Sequence, residues 1–557
     1  MKNQDKTLPF ALIAATLLVV VGSATAYIII SSRKALNNLP VGAEVVPRDA
    51  MMTLHLSTNP GQWKKLEQFG TVQSKTAMEN LLKQLRDRFV TNYGYNYERD
   101  IKPWVGTEVG IAFLRKSTLE LSNPETPDSA PPPPAEQATM VVLPIEDIEK
   151  AEEILAKPPA PKKGKLVKRT YRGIEIKETQ GVPNQDISAA ILGERFLVVT
   201  NSETAINRVI DVYKGDQSLE KAPGYKAMME KLKTSAPLAQ VYLNIPVAVA
   251  YTSSKSITPV SEENLKEFDD NQGVAANVSL VPEGIDLKAI SWLKPNSKKK
   301  FTVDNNAAEM LNRVPGNALM MISGSNLKQM WSDYVKGAAT NPIAPIKPEA
   351  VRKTFKNATG MDLDKEFINW MGGEYSLSLL PTVKDNQQVE KFAAGFVFMV
   401  KASDRGAAEE SLKKLDEGMK KRDFGVGKAF ANGEPVVKWT SPFGGFTVLR
   451  GWLNGNVAFF TLGGLVESQI LPEPKSSMVD STVLQETLPS NSESFNGNFF
   501  IDVNRTFDPQ NLSIPQLPAN QQVWVDGIES IGVTSVVSNS RTTNYDVFVK
   551  LKKQGTK

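Results

Sequence analysis

Trp104-Val105-Gly106-Thr107-Glu108 and Trp370-Met371-Gly372-Gly373-Glu374 are two renderings of one element, Trp-x-Gly-x-Glu, and a glycine stands ten residues before each tryptophan, at Gly94 and Gly360. Outward from this pair the agreement continues in both directions. Upstream, Val46-Pro47 precedes Trp63 by 16 residues counted from the proline, and Val314-Pro315 precedes Trp331 by the same 16. Downstream, an apolar stretch leads into Asp147 with Ala151-Glu152-Glu153, and another into Asp404 with Ala408-Glu409-Glu410. Phe196 to Thr200 then answers to Val457 to Thr461, and Asn244 to Asp502. Each series closes with a two-strand segment, Val274 to Ile290 and Val533 to Val549. So many landmarks in one order define an internal duplication, which takes precedence over any single motif in deciding the architecture.

The expected fold class is α+β: an N-terminal transmembrane helix followed by two tandem diverged copies of one module, each with mainly antiparallel sheets and packed helices. A chain of 557 residues exceeds the ~250 to 300 residues at which single cores stop growing. The expected boundaries are 1–34 for tail and anchor, 35–295 for the first module, 296–304 for a polar linker and 305–557 for the second. A proline-rich loop near 123–136, with Pro131 to Pro134 at its centre, accounts for the greater length of the first copy. Met78, Leu81, Leu82, Leu85 and Phe89 fall at helical spacing, which predicts a helix over 75–90 with Thr76 and Glu79 as its capping box. Asp147 and Asp404 stand where helix N-caps are wanted. On the strand after each Trp-x-Gly-x-Glu, Val109, Ile111 and Phe113, and Tyr375, Leu377 and Leu379, are expected to form the apolar face.

From Leu8 to Ile30 run 23 residues without a charge, long enough as a helix to cross a hydrocarbon core of ~30 Å. Lys2 and Lys6 precede the run, and the small residues Ala24-Thr25-Ala26 within it leave a cleaved leader as the rival to an uncleaved anchor. The expectation is a single-pass protein with a cytoplasmic N-terminus and its bulk in periplasm or thylakoid lumen, in contact with the membrane through Leu8 to Ile30.

Composition removes whole classes of chemistry. There are no cysteines and one histidine, which excludes disulfides, thiolate catalysis, iron–sulfur clusters, cysteine-based zinc and histidine-rich metal sites. With 65 basic and 61 acidic residues, the net charge of +4 gives no argument for nucleic acid. Gly425-Val426-Gly427-Lys428 lacks the earlier glycine and the following Ser or Thr of a phosphate loop, and the Ser-x-x-Lys matches at Ser325 and Ser411 lack their companion motifs. His55, in an alternating apolar stretch with Ser323 at the matching place, reads as structural. No cofactor and no metal is expected.

The candidate interaction residues are those that recur. Trp104 with Glu108 and Trp370 with Glu374 could form an aromatic platform beside an acidic contact, although the structural reading, core tryptophans and glutamates on the face opposite the strand's apolar one, is the stronger. Two basic clusters, Lys162, Lys163, Lys165, Lys168 and Arg169, and Lys420, Lys421 and Arg422, could meet anionic headgroups at ~1 kcal/mol per cation, against a solvated loop as the plainer reading.

The Val-Pro openings, the Trp-x-Gly-x-Glu elements and the terminal apolar run together resemble a cyanobacterial family of uncharacterised membrane-anchored proteins, over about residues 45 to 552. The resemblance implies a location and no reaction, substrate or site residue. The resulting expectation is a non-enzymatic, membrane-tethered binding or assembly protein with a protein partner or lipid. A lipid or amphiphile carrier and a carboxylate-based hydrolase are the alternatives.

Overall fold

The computed structural model describes residues 39–553, apart from 90–94, 116–136, 157–163, 182–186, 235, 256–269, 339–346, 383–392, 445, 489–493 and 512–516. The proline-rich loop and most of the apolar run's neighbourhood therefore lie outside the described residues. Two compact units divide between Lys300 and Phe301, with Lys553 grouped with the first.

The first unit has ten strands: β1 (Met52–Ser57), β2 (Glu108–Arg115), β3 (Gln137–Pro144), β4 (Lys165–Tyr171), β5 (Ile174–Gln180), β6 (Ser188–Leu192), β7 (Phe196–Thr200), β8 (Ala239–Leu243), β9 (Asn271–Val281) and β10 (Gly284–Leu293). Their ladders are all antiparallel and give the order β4-β5-β6-β7-β3-β2-β1-β8-β9-β10. The second unit has β11 (Met320–Gly324), β12 (Tyr375–Pro381), β13 (Ala394–Lys401), β14 (Gly425–Ala431), β15 (Glu434–Thr440), β16 (Thr447–Leu453), β17 (Val457–Gly463), β18 (Gly497–Asp502), β19 (Ile528–Asn539) and β20 (Thr542–Leu551). Its antiparallel order is β14-β15-β16-β17-β13-β12-β11-β18-β19-β20, so each strand occupies the place of the one ten before it.

Local chemistry repeats as well. Val46 and Val314 are buried in the two main cores, and their carbonyls accept the backbone N–H of Leu219 and Met478 respectively. Asp147 and Asp404 cap the helices that follow β3 and β13, accepting from Lys150 N at 3.1 Å and Ala407 N at 3.0 Å. Ahead of each Trp-x-Gly-x-Glu lies a π-helical turn, Tyr97–Ile101 or Leu363–Phe367, closed reciprocally at its start. Asn96 accepts from Arg99 N while Asp100 accepts from Asn96 N; Asp362 accepts from Lys365 N while Glu366 accepts from Asp362 N.

The fold class needs correction in its first element. Among the described residues no helix is long and apolar enough to cross a membrane, and Leu8 to Ile30, which carried the expected transmembrane helix, lies outside them. An uncharged length satisfies a necessary condition for a span and no more. What stands is a pair of antiparallel-sheet units with helices. The helix expected over 75–90 runs over Val72–Phe89, and its capping box is Thr71 with Ser74, which exchange side-chain-to-backbone bonds of 3.1 and 2.9 Å. Ser74 returns the bond that a glutamate was expected to make, and Thr76 instead donates to Val72 O inside the helix.

In the second unit helices Pro348–Thr359 and Arg405–Lys420 pack at close range through Gly418, where an added Cβ would lie 2.2 Å from Thr359 O. Backbone cannot yield as a flexible side chain does, so Gly418→Ala should destabilise the protein by about 1–3 kcal/mol. Urea unfolding of the variant beside the parent measures it, and an unchanged midpoint would mean that the helices do not meet there.

Candidate functional site

Both recurring tryptophans are core anchors, 1% and 2% exposed. Trp104 donates its indole N–H to Asp100 O at 2.6 Å, inside the π turn, and packs with Ile101, Ala151 and Leu197. Trp370 packs with Leu327, Ala408 and Leu412 and stands edge-on to Phe367. Neither ring offers a platform.

The recurring glutamates hold backbone. Glu108 accepts the N–H of Val41 at 3.2 Å, and Glu374 accepts that of Met310 at 3.2 Å, so each carboxylate ties down the turn leading into its Val-Pro. Glu108 also lies 3.3 Å from Nδ1 of buried His55, packed over Gly110. The sequence reading put these glutamates on the face opposite the apolar set of the strand; there they point back to the opening segment because orphan N–H groups at the start of a turn attract a carboxylate.

A second acidic group stands beside Glu374. Burial pulls the Glu309 carboxyl upward, but hydrogen bonds from Lys401 at 2.7 Å and Arg313 at 2.9 Å overcome it and hold the group below the usual range. For Glu374 burial dominates over the bond from Met310 N–H, the charge of Glu309 adds to it, and the carboxyl is raised. Both groups are engaged with the fold, Glu309 through Lys401 and Arg313 and Glu374 through the Met310 N–H.

The basic clusters part company. Lys162 and Lys163 lie outside the described residues. Lys165 is exposed at the start of β4, Lys168 pairs with Glu175, and Arg169 donates at 2.7 Å to buried Glu178, which also accepts from Ser188. In the second unit Arg422 donates to Asn357 O and Gly418 O, closing helix ends. Lys420 and Lys421 are exposed and, among the described residues, make no ion pair.

The largest unassigned feature is a sheet face. In β2 the residues packed into the main core are Gly110, Ala112 and Leu114, not Val109, Ile111 and Phe113, which are only partly buried on the other side. In the second unit the core face carries Met321, Val397, Met399, Phe459 and Phe500. The opposite face carries two adjacent cross-strand rows, Phe499–Ile322–Leu377–Phe398–Phe460 and Ile501–Met320–Leu379–Phe396–Leu462. Trp370 and helix Arg405–Lys420 cover it towards Val400 and Ala458. Away from them Ile322, Phe396 and Leu462 are 37%, 40% and 42% exposed. The matching rows of the first unit hold Leu54, Ile111 and Val241, and Met52, Phe113 and Leu243, all partly buried. Sequence reading named part of this face as apolar, Ile111 and Phe113 in one unit and Leu377 and Leu379 in the other, but not that it runs across the sheet and stays partly open. The available signal was Phe396-Val397-Phe398-Met399-Val400, apolar at every position, where an antiparallel strand with one wet face alternates.

Fold and site together define a duplicated antiparallel-sheet protein whose sheet is apolar on both faces and covered fully on one. The chain belongs to the family described as "Protein of unknown function (DUF3352)", which matches residues 11–551. That match says nothing of a cyanobacterial source. No curated protein matches the chain. Among solved structures, crystal forms I, III and IV of TP0453 match with 11%, 13% and 12% identity and TM-scores of 0.25, 0.24 and 0.24. They cover 47%, 46% and 45% of this chain and 81%, 82% and 79% of theirs, and a likeness this slight bears on neither fold nor function.

Because the folded-state value of Glu374 is raised, its contribution to stability is fully present below the unfolded glutamate range and is lost as pH rises through the folded value. Glu374→Gln should therefore gain relative to the parent between pH 4 and pH 7 in denaturant unfolding. A gain in the opposite direction would mean that the ionised form is the favoured one. Trp104→Ala, which empties a core site, should cost about 3–5 kcal/mol in the same assay.

Proposed function

We propose that this protein is a non-enzymatic binding or assembly protein that holds its partner on the partly covered apolar sheet face. The observation that carries this reading is the repetition of that face at equivalent registers in both units, while the recurring tryptophans, glutamates and histidine-side contacts are engaged in the fold. Ile322 in one row and Phe396 with Leu462 in the other are apolar side chains left open on one face, and such patches mark interaction sites, since each fully buried Leu, Ile or Phe is worth about 1.5–3 kcal/mol. The apolar run Leu8 to Ile30 supports export, and the proposal places the two units in the periplasm or thylakoid lumen.

A second reading is an amphiphile carrier. It is favoured by the position of Ile322 and Phe396 on strands paired along both edges, which leaves side chains and no free backbone donors for contact. Such a face suits a hydrocarbon chain as well as an apolar protein surface.

Phe396→Asp and Ile322→Asp should each lower recovery of a crosslinked partner from native membranes at least tenfold while costing no more than about 2 kcal/mol of unfolding free energy, since both side chains are already more than a third exposed. Undiminished recovery would sink the assembly reading at this face. Mass spectrometry of the purified protein separates the two: co-purifying lipid that both variants lose supports the carrier, and a reproducible protein partner without lipid supports assembly.

A further inference from the structure

A separate feature of the second unit has no role in that reading. The loop between β15 and β16 is closed by Ser441 N–H to Phe446 O at 3.4 Å, and within it Gly444 N–H donates to Ser441 O at 3.1 Å. Ser at the first place, Pro442 at the second and Gly444 at the fourth is the residue pattern of a type I turn, with Gly444 at a φ of 67°. The third place belongs to Phe443, whose side chain is 97% exposed, and Phe446 beside it is 39% exposed. A turn stiffened by proline thus presents an aromatic ring to solvent. The ring of Phe446 lies 6.0 Å from that of Phe424, three residues after Lys421, so the loop and the end of helix Arg405–Lys420 meet through these two rings. Of the acidic residues nearby, Asp416 is turned inward to Arg450 and Trp439, leaving Glu417 and Asp423 against Lys413, Lys420 and Lys421.

We propose that Phe443, together with Lys420 and Lys421 at the helix end that meets its loop, docks the second unit onto the surface of an anionic bilayer, the ring entering the interface and the two ammonium groups meeting headgroup phosphates. One projecting ring with two cations is far below the ~800 Å² per partner that a stable protein interface requires. It matches what an interfacial contact uses: an aromatic at headgroup depth and basic residues worth ~1 kcal/mol each near an anionic surface. The first unit's basic cluster is not equivalent, because Lys168 and Arg169 are held in ion pairs.

The absence of cysteine from the chain makes the test direct. Phe443→Cys in the full-length protein, labelled with an environment-sensitive fluorophore, is mixed with phosphatidylglycerol or phosphatidylcholine vesicles, with Glu434→Cys, near the opposite end of the β14–β15 hairpin, as the control position. The proposal expects a blue shift at position 443 with phosphatidylglycerol, none at 434, and little at either with phosphatidylcholine. Lys420→Gln with Lys421→Gln should lower the docked-to-free ratio about 30-fold at low salt, and added salt should do likewise. A probe that stays water-like in phosphatidylglycerol, a shift of equal size in both lipids, or a shift that arises only when soluble protein extract is added without vesicles would overturn it.

Discussion

Each unit depends on non-local ladders, β1 with β8 and β11 with β18 among them, and on one above all, β3 with β7 in the first and β13 with β17 in the second, which ties a four-strand meander to the rest. Without it the chain would offer separate meanders, since β4 to β7 pair in sequence order and join the remaining six strands only here. The ladder brings Val142 opposite Val198 and Val397 opposite Thr461, and Val142, Val198 and Val397 sit in the main cores. Register is strongly specified because a slip of one residue would exchange the two faces of the strand. Around this ladder the opening segment is fastened twice, by the Val-Pro carbonyl bonds to Leu219 and Met478 and by the carboxylates of Glu108 and Glu374.

A wide antiparallel sheet has two faces to dispose of, and the way each is covered separates structure from function. The core face is sealed by the opening segment and by helices such as Glu203–Tyr213 and Tyr225–Lys231 in the first unit. On the other face of the second unit helix Arg405–Lys420 and Trp370 reach only part of the rows. Ile322, Phe396 and Leu462 stay accessible beyond their reach, a place where apolar area persists without serving the core. The charged groups behave differently: Arg169, Arg422, Glu309 and Glu374 are consumed in local contacts, so that charge on this molecule mostly fastens turns and helix ends.

Much of the architecture was legible because duplication leaves evidence at the level of spacing. Val46-Pro47 and Val314-Pro315, the paired Trp-x-Gly-x-Glu elements and the N-caps Asp147 and Asp404 are local in sequence and recur, and each performs the same local task twice. The Thr71–Ser74 cap was passed over because the reciprocal bond was sought from a glutamate. The π turns at Tyr97 and Leu363 were also within reach, through an Asn or Asp followed four residues later by an acid and eight by a tryptophan. The more apolar set of β2, Val109, Ile111 and Phe113, is not the one the main core takes, for a physical reason: Gly110 and Ala112 on the other face are small enough to let the opposing layer approach, and Leu114 packs in the core beside them.

The sequence by itself determined that there are two copies of one module, that thiol and histidine-cluster chemistry are absent, and where several turns and caps fall, because these depend on residue identity at short range. Only the tertiary structure decided which face of each strand is core, that the recurring glutamates clasp backbone, that Arg169 and Arg422 are engaged while Lys420 and Lys421 stand free of ion pairs among the described residues, and that Phe443 projects from a closed turn. Those outcomes depend on which distant segment arrives over a side chain, and strand periodicity, which is symmetric between the two faces, carries no information about that arrival.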